Sequence, residues 1–179
     1  VLAALSSSQA RDYPKGQAAR FDLAVPFQPE GKLTYLDLQA KANQAMDLPT
    51  FDTPVNDMAQ VPRGEQAFGG MKFTIGPGSL QLGSGLLPAA PERIGGIPVG
   101  SHVARMYVLH GTQFGGSTHN VADGTIIGWY RVVYEDQKEE SIAIVAGEDV
   151  CHWFADDSEP PTRGAKVWEG QNRLAQWLN

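Results

Sequence analysis

The sequence predicts an all-β fold, an antiparallel β-sandwich of the jelly-roll kind with little helix. Three observations carry this prediction. Short runs of β-branched, aromatic and alternating residues recur along the chain, and turn residues separate them, with 20 glycines and 12 prolines among 179 residues. No run with the period of a helix lies between the strand-like runs. Strands separated by turns favour two packed antiparallel sheets over a parallel α/β sheet.

The first 16 residues lack any periodicity and predict an extended tail or linker, followed by a single sandwich domain over residues 17–179. Two interpretations of the start remain open. The apolar residues 1–5, followed by small residues at 6–10, are typical of the end of a secretory signal peptide. The same residues are equally consistent with a linker.

Strands are predicted over residues 19–25 and 33–38, each bounded by glycine or proline. Residues 40–63 contain too many turn formers for a long element and predict a surface loop. Met71, Phe73 and Ile75 share one face of the next strand, which a turn at 76–79 is expected to join to a strand over 80–82.

The second half of the chain gives the clearest patterns. A strand is predicted over 104–110, and two β-rich runs at 125–134 and 141–146 flank a polar turn and predict a hairpin. A short strand is predicted over 165–168, whereas 174–178 is compatible with one helical turn but too short to predict a helix. Trp129 and Trp168 lie in these strands and are expected in the core.

Composition excludes several classes of function. The 14 basic residues against 20 acidic ones give a net charge of −6 without a basic cluster, which argues against nucleic acid and anionic membranes as partners. The single cysteine, Cys151, excludes an internal disulfide and a cysteine-based zinc site, and leaves the compartment open. No apolar run approaches the roughly 18 residues that span a bilayer.

Eight short segments resemble, in their order, uncharacterised bacterial modules appended to larger envelope and signalling proteins, mainly in planctomycete-like genomes. The segments are YLDLQAKAN at 35–43, VPRGEQ at 61–66, FGGMKFTI at 68–75, IPVG at 97–100, MYVLH at 106–110, GTIIGWYRVVY at 124–134, GEDVCHW at 147–153 and WEGQN at 168–172. The modules are similar to galactose-binding-like, carbohydrate-binding β-sandwiches. The resemblance implies this fold and no catalytic residues. It also implies further strands after 172, so either the sequence is truncated or another polypeptide completes the sheet.

The chain shows none of the usual catalytic patterns. His102, His110, His119 and His152 do not have the spacing of a metal motif, and His110 is expected to be a hydrogen-bonded structural histidine. No serine lies in a nucleophile elbow. The acidic group at 135–140 falls in a hairpin turn, where charge is normally solvated. We therefore expect no enzyme activity and no cofactor.

Aromatic rings and amides near turns supply the candidate binding site. A flat ring stacks on the apolar face of a sugar, while amides and charged groups orient its hydroxyls. Trp153 is the predicted platform, beside an acidic loop. The full predicted set is Trp153, Phe154, Gln113, Phe114, His119 and Asn120. Loop carboxylates that could hold a structural calcium are Asp123, Asp156 and Asp157, with no spacing motif behind them.

These observations predict a non-catalytic, extracytoplasmic recognition module in the periplasm or cell envelope, tethered or free. It would bind a glycan or an envelope protein through loops at one edge of the sandwich. The first alternative is a docking subunit of a larger membrane-associated complex. A glycoside hydrolase or lyase is the distant alternative, and it requires two carboxylates at catalytic separation.

Overall fold

A computed structural model describes residues 2–7, 32–50, 53–85, 87–113, 121–153 and 161–178. About 35% of the chain is strand and 6% is helix, which confirms an all-β fold. The strands pair in small sheets of two or three. The described residues form two compact units. The first unit consists of residues 2–7, the described residues between 32 and 109, and residues 168–178. The second unit consists of the described residues between 110 and 167.

The strands, in chain order, are β1 (Leu2–Ser7), β2 (Lys32–Tyr35), β3 (Gln44–Ala45), β4 (Gly64–Phe68), β5 (Met71–Ile75), β6 (Gly78–Ser79), β7 (Arg105–Leu109), β8 (Ile126–Val133) and β9 (Glu139–Val145). A 3₁₀ turn covers Gln39–Lys41, and the helix α1 covers Arg173–Leu178. The strand predicted over 165–168 is wrong, since these residues are irregular and pair with no described strand. The helical turn considered for 174–178 is present as α1.

In the first unit, β1 lies between β2 and β7 and pairs antiparallel with both. Ala4 is opposite Tyr35 on one side and Tyr107 on the other. The segment predicted to be an extended tail therefore begins with a paired strand. The strand predicted over 19–25 lies outside the described residues.

The hairpin of the first unit is formed by β4 and β5. Gly69 and Gly70 have φ of 58° and 80°, and two consecutive positive φ values give the tight turn whose twist matches that of the strands. Met71, Phe73 and Ile75 are buried, as the alternation predicts. The predicted partner strand at 80–82 is wrong: β5 pairs with β4, while β6 pairs with β3.

Buried apolar side chains make the core of this unit. They are Leu38, Met46, Val55, Phe68, Met71, Phe73 and Ile75. Beside them the buried Asn56 accepts a hydrogen bond from Nδ2 of Asn172 at 3.2 Å. Oδ1 of Asn172 accepts the N–H of Ala175 at 2.9 Å and so caps α1. The helix is thereby attached to the loop that contains Asn56.

The second unit is built on the hairpin of β8 and β9, which confirms the hairpin predicted there. Tyr134 donates its N–H to the carbonyl of Lys138 at 2.8 Å and closes the turn. A bulge between Ile126 and Gly128 interrupts the pairing near the start of β8. Val145, Ala146, Val150 and His152 are buried in this unit.

Candidate functional site

One side of β8 is exposed to solvent. Ile127, Trp129, Arg131 and Val133 alternate with less exposed residues, and we call the surface that these four side chains form the outer face. Trp129 is 55% exposed in the middle of the strand. The prediction that Trp129 lies in the core is wrong, because the opposite side of β8 is the one that packs inward. Trp168 is also exposed, contrary to the same prediction.

Strand β9 adds small and polar groups next to this ring. Ala143 is directly opposite Trp129, and Ser141 is opposite Arg131. The guanidinium of Arg131 forms an ion pair with the carboxylate of Glu139, with Nε at 2.9 Å from Oε2. A large uncovered ring and a donor–acceptor pair therefore lie on the same side of the hairpin.

The inner side of β8 carries a half-buried tyrosine–histidine pair. The hydroxyl of Tyr130 lies 2.8 Å from Nδ1 of His110, and Nε2 of His110 lies 3.1 Å from the carbonyl oxygen of Asp149. Because a carbonyl can only accept, Nε2 carries the proton and Nδ1 accepts from the phenol. Burial lowers the pKa of His110 and raises that of Tyr130. The prediction of a hydrogen-bonded structural histidine is confirmed.

A cluster of charged groups holds the turn after β9. Oδ2 of Asp149 accepts the N–H of Val145 at 2.8 Å and a guanidinium N–H of Arg163 at 2.9 Å. Arg163 also contacts Glu148 at 2.9 Å, and its own N–H donates to the Glu148 carbonyl. These contacts fix the segment around residue 163 to the hairpin and leave the carboxylate of Asp149 engaged, so we assign the cluster a structural role.

The structure brings two of the predicted ligand-binding residues close together. The N–H of Trp153 donates to the carbonyl of Thr112 at 2.9 Å, which places Gln113 beside Trp153. Both side chains are half-buried, and no described residue hydrogen-bonds to the buried Oε1 of Gln113. Phe154, Phe114, His119 and Asn120 lie outside the described residues. The binding role of this set remains a prediction.

Of the three calcium candidates, only Asp123 is described, and its side chain is exposed next to Gly147. Asp156 and Asp157 fall outside the described ranges. Among the residues that are described, no three His, Cys, Asp or Glu side chains form a metal-binding group. In the same part of the chain, no helix has both the length and the apolar character needed to cross a bilayer.

The sequence carries a signal for the exposure of Trp129 that hydrophobicity alone does not show. Trp129 and Arg131 are two residues apart in a strand and so share a face. A charged side chain marks that face as the solvated one, since arginine is almost never fully buried without a partner. The tryptophan beside it is therefore expected in solvent.

No protein family, curated protein or solved structure matches this chain.

Proposed function

We propose that this protein is a non-catalytic recognition module that binds a glycan on the outer face, with Trp129 as the stacking platform. The observation that carries the proposal is the exposed indole at the centre of a regular strand. Indole rings supply large apolar contact area, and a ring held by a strand loses little freedom when a sugar stacks on it. We place the module in a galactose-binding-like sandwich outside the cytoplasm.

The charged pair on the outer face suits sugar hydroxyls. The ion pair engages Oε2 of Glu139 and Nε and one terminal nitrogen of Arg131. The other carboxylate oxygen and the other terminal nitrogen remain as an acceptor and a donor on the outer face, towards Val133, which is opposite Glu139. Sugar hydroxyls can both donate and accept, so a glycan that stacks on Trp129 and extends along β8 can hydrogen-bond to these groups through its next sugar.

The state of the acidic residues supports binding without catalysis. Asp136 pairs with Lys138, Glu139 with Arg131, and Glu140 accepts a hydrogen bond from the Tyr134 hydroxyl at 2.8 Å. The hydrogen bond from Lys138 lowers the pKa of Asp136, whereas a general acid for glycoside cleavage needs a raised one. Their contacts are those of charge partners in a solvated turn.

The test is a screen of neutral, acidic and amino-sugar glycans with intrinsic tryptophan fluorescence and calorimetry as readouts. Trp129→Ala should abolish binding. Trp177→Ala is the matched control, because Trp177 is 70% exposed but lies on α1. Trp153→Ala tests the platform predicted from sequence. If Trp153→Ala alone removes binding, the site is the loop; if the native protein binds no glycan, the proposal fails.

A second candidate function is docking to another protein of the envelope, and one observation favours it. Ile127 and Val133 flank the ring on the same face and are aliphatic, which gives a patch more apolar than a sugar requires. Isolation from native membrane and periplasmic fractions, with mass determination, tests this function. A stoichiometric complex that dissociates in Val133→Ser, but not in Leu82→Ser elsewhere on the surface, would support docking.

A further inference from the structure

The outer edge of β8 carries backbone groups that no described strand pairs with. Tyr134 donates its N–H to Lys138, so even-numbered residues of β8 point their N–H and C=O groups at β9. Alternation then points those of Trp129, Arg131 and Val133 away from β9. Within the described ranges, β8 and β9 form a two-stranded sheet and nothing else joins it. Such an edge is a template for another strand.

The outer edge of β9 is a poorer template. The N–H of Val145 donates to the carboxylate of Asp149, and its carbonyl accepts the N–H of Asp149 at 2.9 Å. Glu139 and Glu140 add negative charge along the rest of that strand. Charged residues on an edge discourage strand addition. β8 contains one charged residue, Arg131, whose charge Glu139 balances.

We propose that two copies of this protein associate through β8, with the strands antiparallel and the twofold axis at Tyr130. This register places Trp129 of each copy opposite Arg131 of the other. Both residues direct their free backbone groups at the partner, so the two pairs exchange N–H···O=C bonds. The aliphatic stem of Arg131 then packs beside the indole of the partner, while its guanidinium stays paired with Glu139.

Neighbouring registers are less favourable. A shift of one residue would place the outer face of one copy on the same side of the sheet as the inner side of the other copy. One Arg131 would then be buried and one Tyr130 exposed. A shift of two residues places Arg131 opposite Arg131 in one direction and Trp129 opposite Trp129 in the other. Like charges directly opposite one another are destabilising, which disfavours Arg131 against Arg131. Trp129 against Trp129 would place Arg131 opposite Ile127, where the bulge between Ile126 and Gly128 interrupts the strand. Trp129 against Arg131 is therefore the favoured register.

The consequence is a continuous four-stranded sheet with the order β9–β8–β8–β9 and a single outer face. Two indoles then lie on adjacent strands, together with both Arg131–Glu139 pairs. The inference does not depend on glycan binding. If glycans bind, the dimer gives a bivalent platform, and avidity rises without any new contact between one copy and its sugar.

The experiment is light scattering coupled to size-exclusion chromatography of the full chain over a wide range of concentrations. We expect twice the monomer mass for the native protein. Arg131→Pro removes an N–H that points outward, so it should leave the hairpin intact and yield monomers. Ser141→Pro is the matched control, since Ser141 is opposite Arg131 and its N–H points to the outer edge of β9. This variant should remain dimeric.

A second pair of variants keeps the backbone unchanged. Trp129→Lys places two cations together across the proposed interface and should weaken dimerisation about tenfold or more, by a loss of at least 1.4 kcal/mol. Trp177→Lys should have no effect. Circular dichroism verifies that each variant is folded. A monomeric native protein at all concentrations, or a dimer that survives both Arg131→Pro and Trp129→Lys, overturns the inference. Because mass is measured without sugar, failure here is distinct from failure to bind glycans.

Discussion

The phenol of Tyr130 donates a hydrogen bond to Nδ1 of His110 over 2.8 Å, while the ring centroids lie 6.0 Å apart. His110 makes a second hydrogen bond, in which its Nε2–H donates to the carbonyl of Asp149. One chain of hydrogen bonds thus joins the inner side of β8 to the turn after β9. Both ring nitrogens of His110 and the hydroxyl of Tyr130 are hydrogen-bonded when the histidine ring is neutral, so protonation of the ring disturbs the pair.

Removal of the Tyr130 hydroxyl should destabilise the protein. Tyr130→Phe leaves Nδ1 of the half-buried His110 without its donor, which costs about 1 kcal/mol in the free energy of unfolding. Tyr134→Phe is the control, because the Tyr134 hydroxyl bonds to Glu140 on the exposed turn, and its loss should cost below about 0.5 kcal/mol. Chemical denaturation measures both, and equal losses would contradict a special role for the half-buried pair.

Stability should fall in mild acid because of His110. Burial, the largest cause, depresses the folded-state pKa below the ordinary 6.5, so the unfolded chain binds its proton first. Stabilisation by the neutral ring is complete above 6.5 and is lost as the pH falls from 6.5 through the lower, folded-state value. His110→Gln can keep a donor and an acceptor without titrating. Thermal midpoints between about pH 8 and pH 5 should therefore fall less steeply in the variant. If the thermal midpoints of the native protein and of His110→Gln fall equally with pH, the pH dependence belongs to other groups.

Asp149 should matter far more than its neighbour Glu148. Asp149→Ala deprives the Val145 N–H of its acceptor and removes one of the two carboxylates that contact the Arg163 guanidinium. The side chain of Asp149 is 12% exposed and that of Arg163 is 25% exposed. We expect a loss of about 3 kcal/mol. Glu148→Ala removes a more exposed ion pair, with an expected loss of about 0.5 kcal/mol. Urea titrations compare them, and a smaller loss for Asp149→Ala than for Glu148→Ala would contradict this assignment.

Gly147 should tolerate no side chain. Its φ is +76°, and a Cβ there would overlap the carboxylate of Asp123. Gly147→Ala therefore incurs both the left-handed backbone cost of about 1–2 kcal/mol and a clash. Gly124→Ala is matched, since Gly124 has φ of +83° with open space around its α-carbon, so it incurs only the backbone cost. Melting temperatures should rank native, Gly124→Ala and Gly147→Ala in falling order.

Alternation of apolar and polar residues correctly predicted strands that have one buried and one exposed face. Met71, Phe73 and Ile75 alternate with polar residues because one face of β5 is buried, and the sequence records this directly. β4 reads Gly-Glu-Gln-Ala-Phe and has a single large apolar residue, so alternation did not reveal it as the partner strand. The adjacent Gly69–Gly70 turn was the signal that could have located this hairpin.

Tertiary relationships were beyond the sequence for physical reasons. Alternation separates the two faces of β8 but does not by itself say which face is solvated, and tryptophan is often assigned to the core on hydrophobicity alone. His110 and Tyr130 are brought together by packing between segments of the chain, and no local spacing encodes that contact. The predicted strand at 165–168 failed because a strand exists only where a partner supplies its hydrogen bonds.

The pairing of Leu2 with Leu109 has a consequence for biosynthesis. β1 leaves the ribosome long before β7 is translated, and synthesis proceeds at about 5–20 residues per second. During those seconds the Leu-Ala-Ala-Leu segment has β2 as its only partner from this sheet, with one edge uncovered. This sheet can therefore be completed only after residues 36 to 109 have been synthesised, and until then the open edge of β1 can accept another strand.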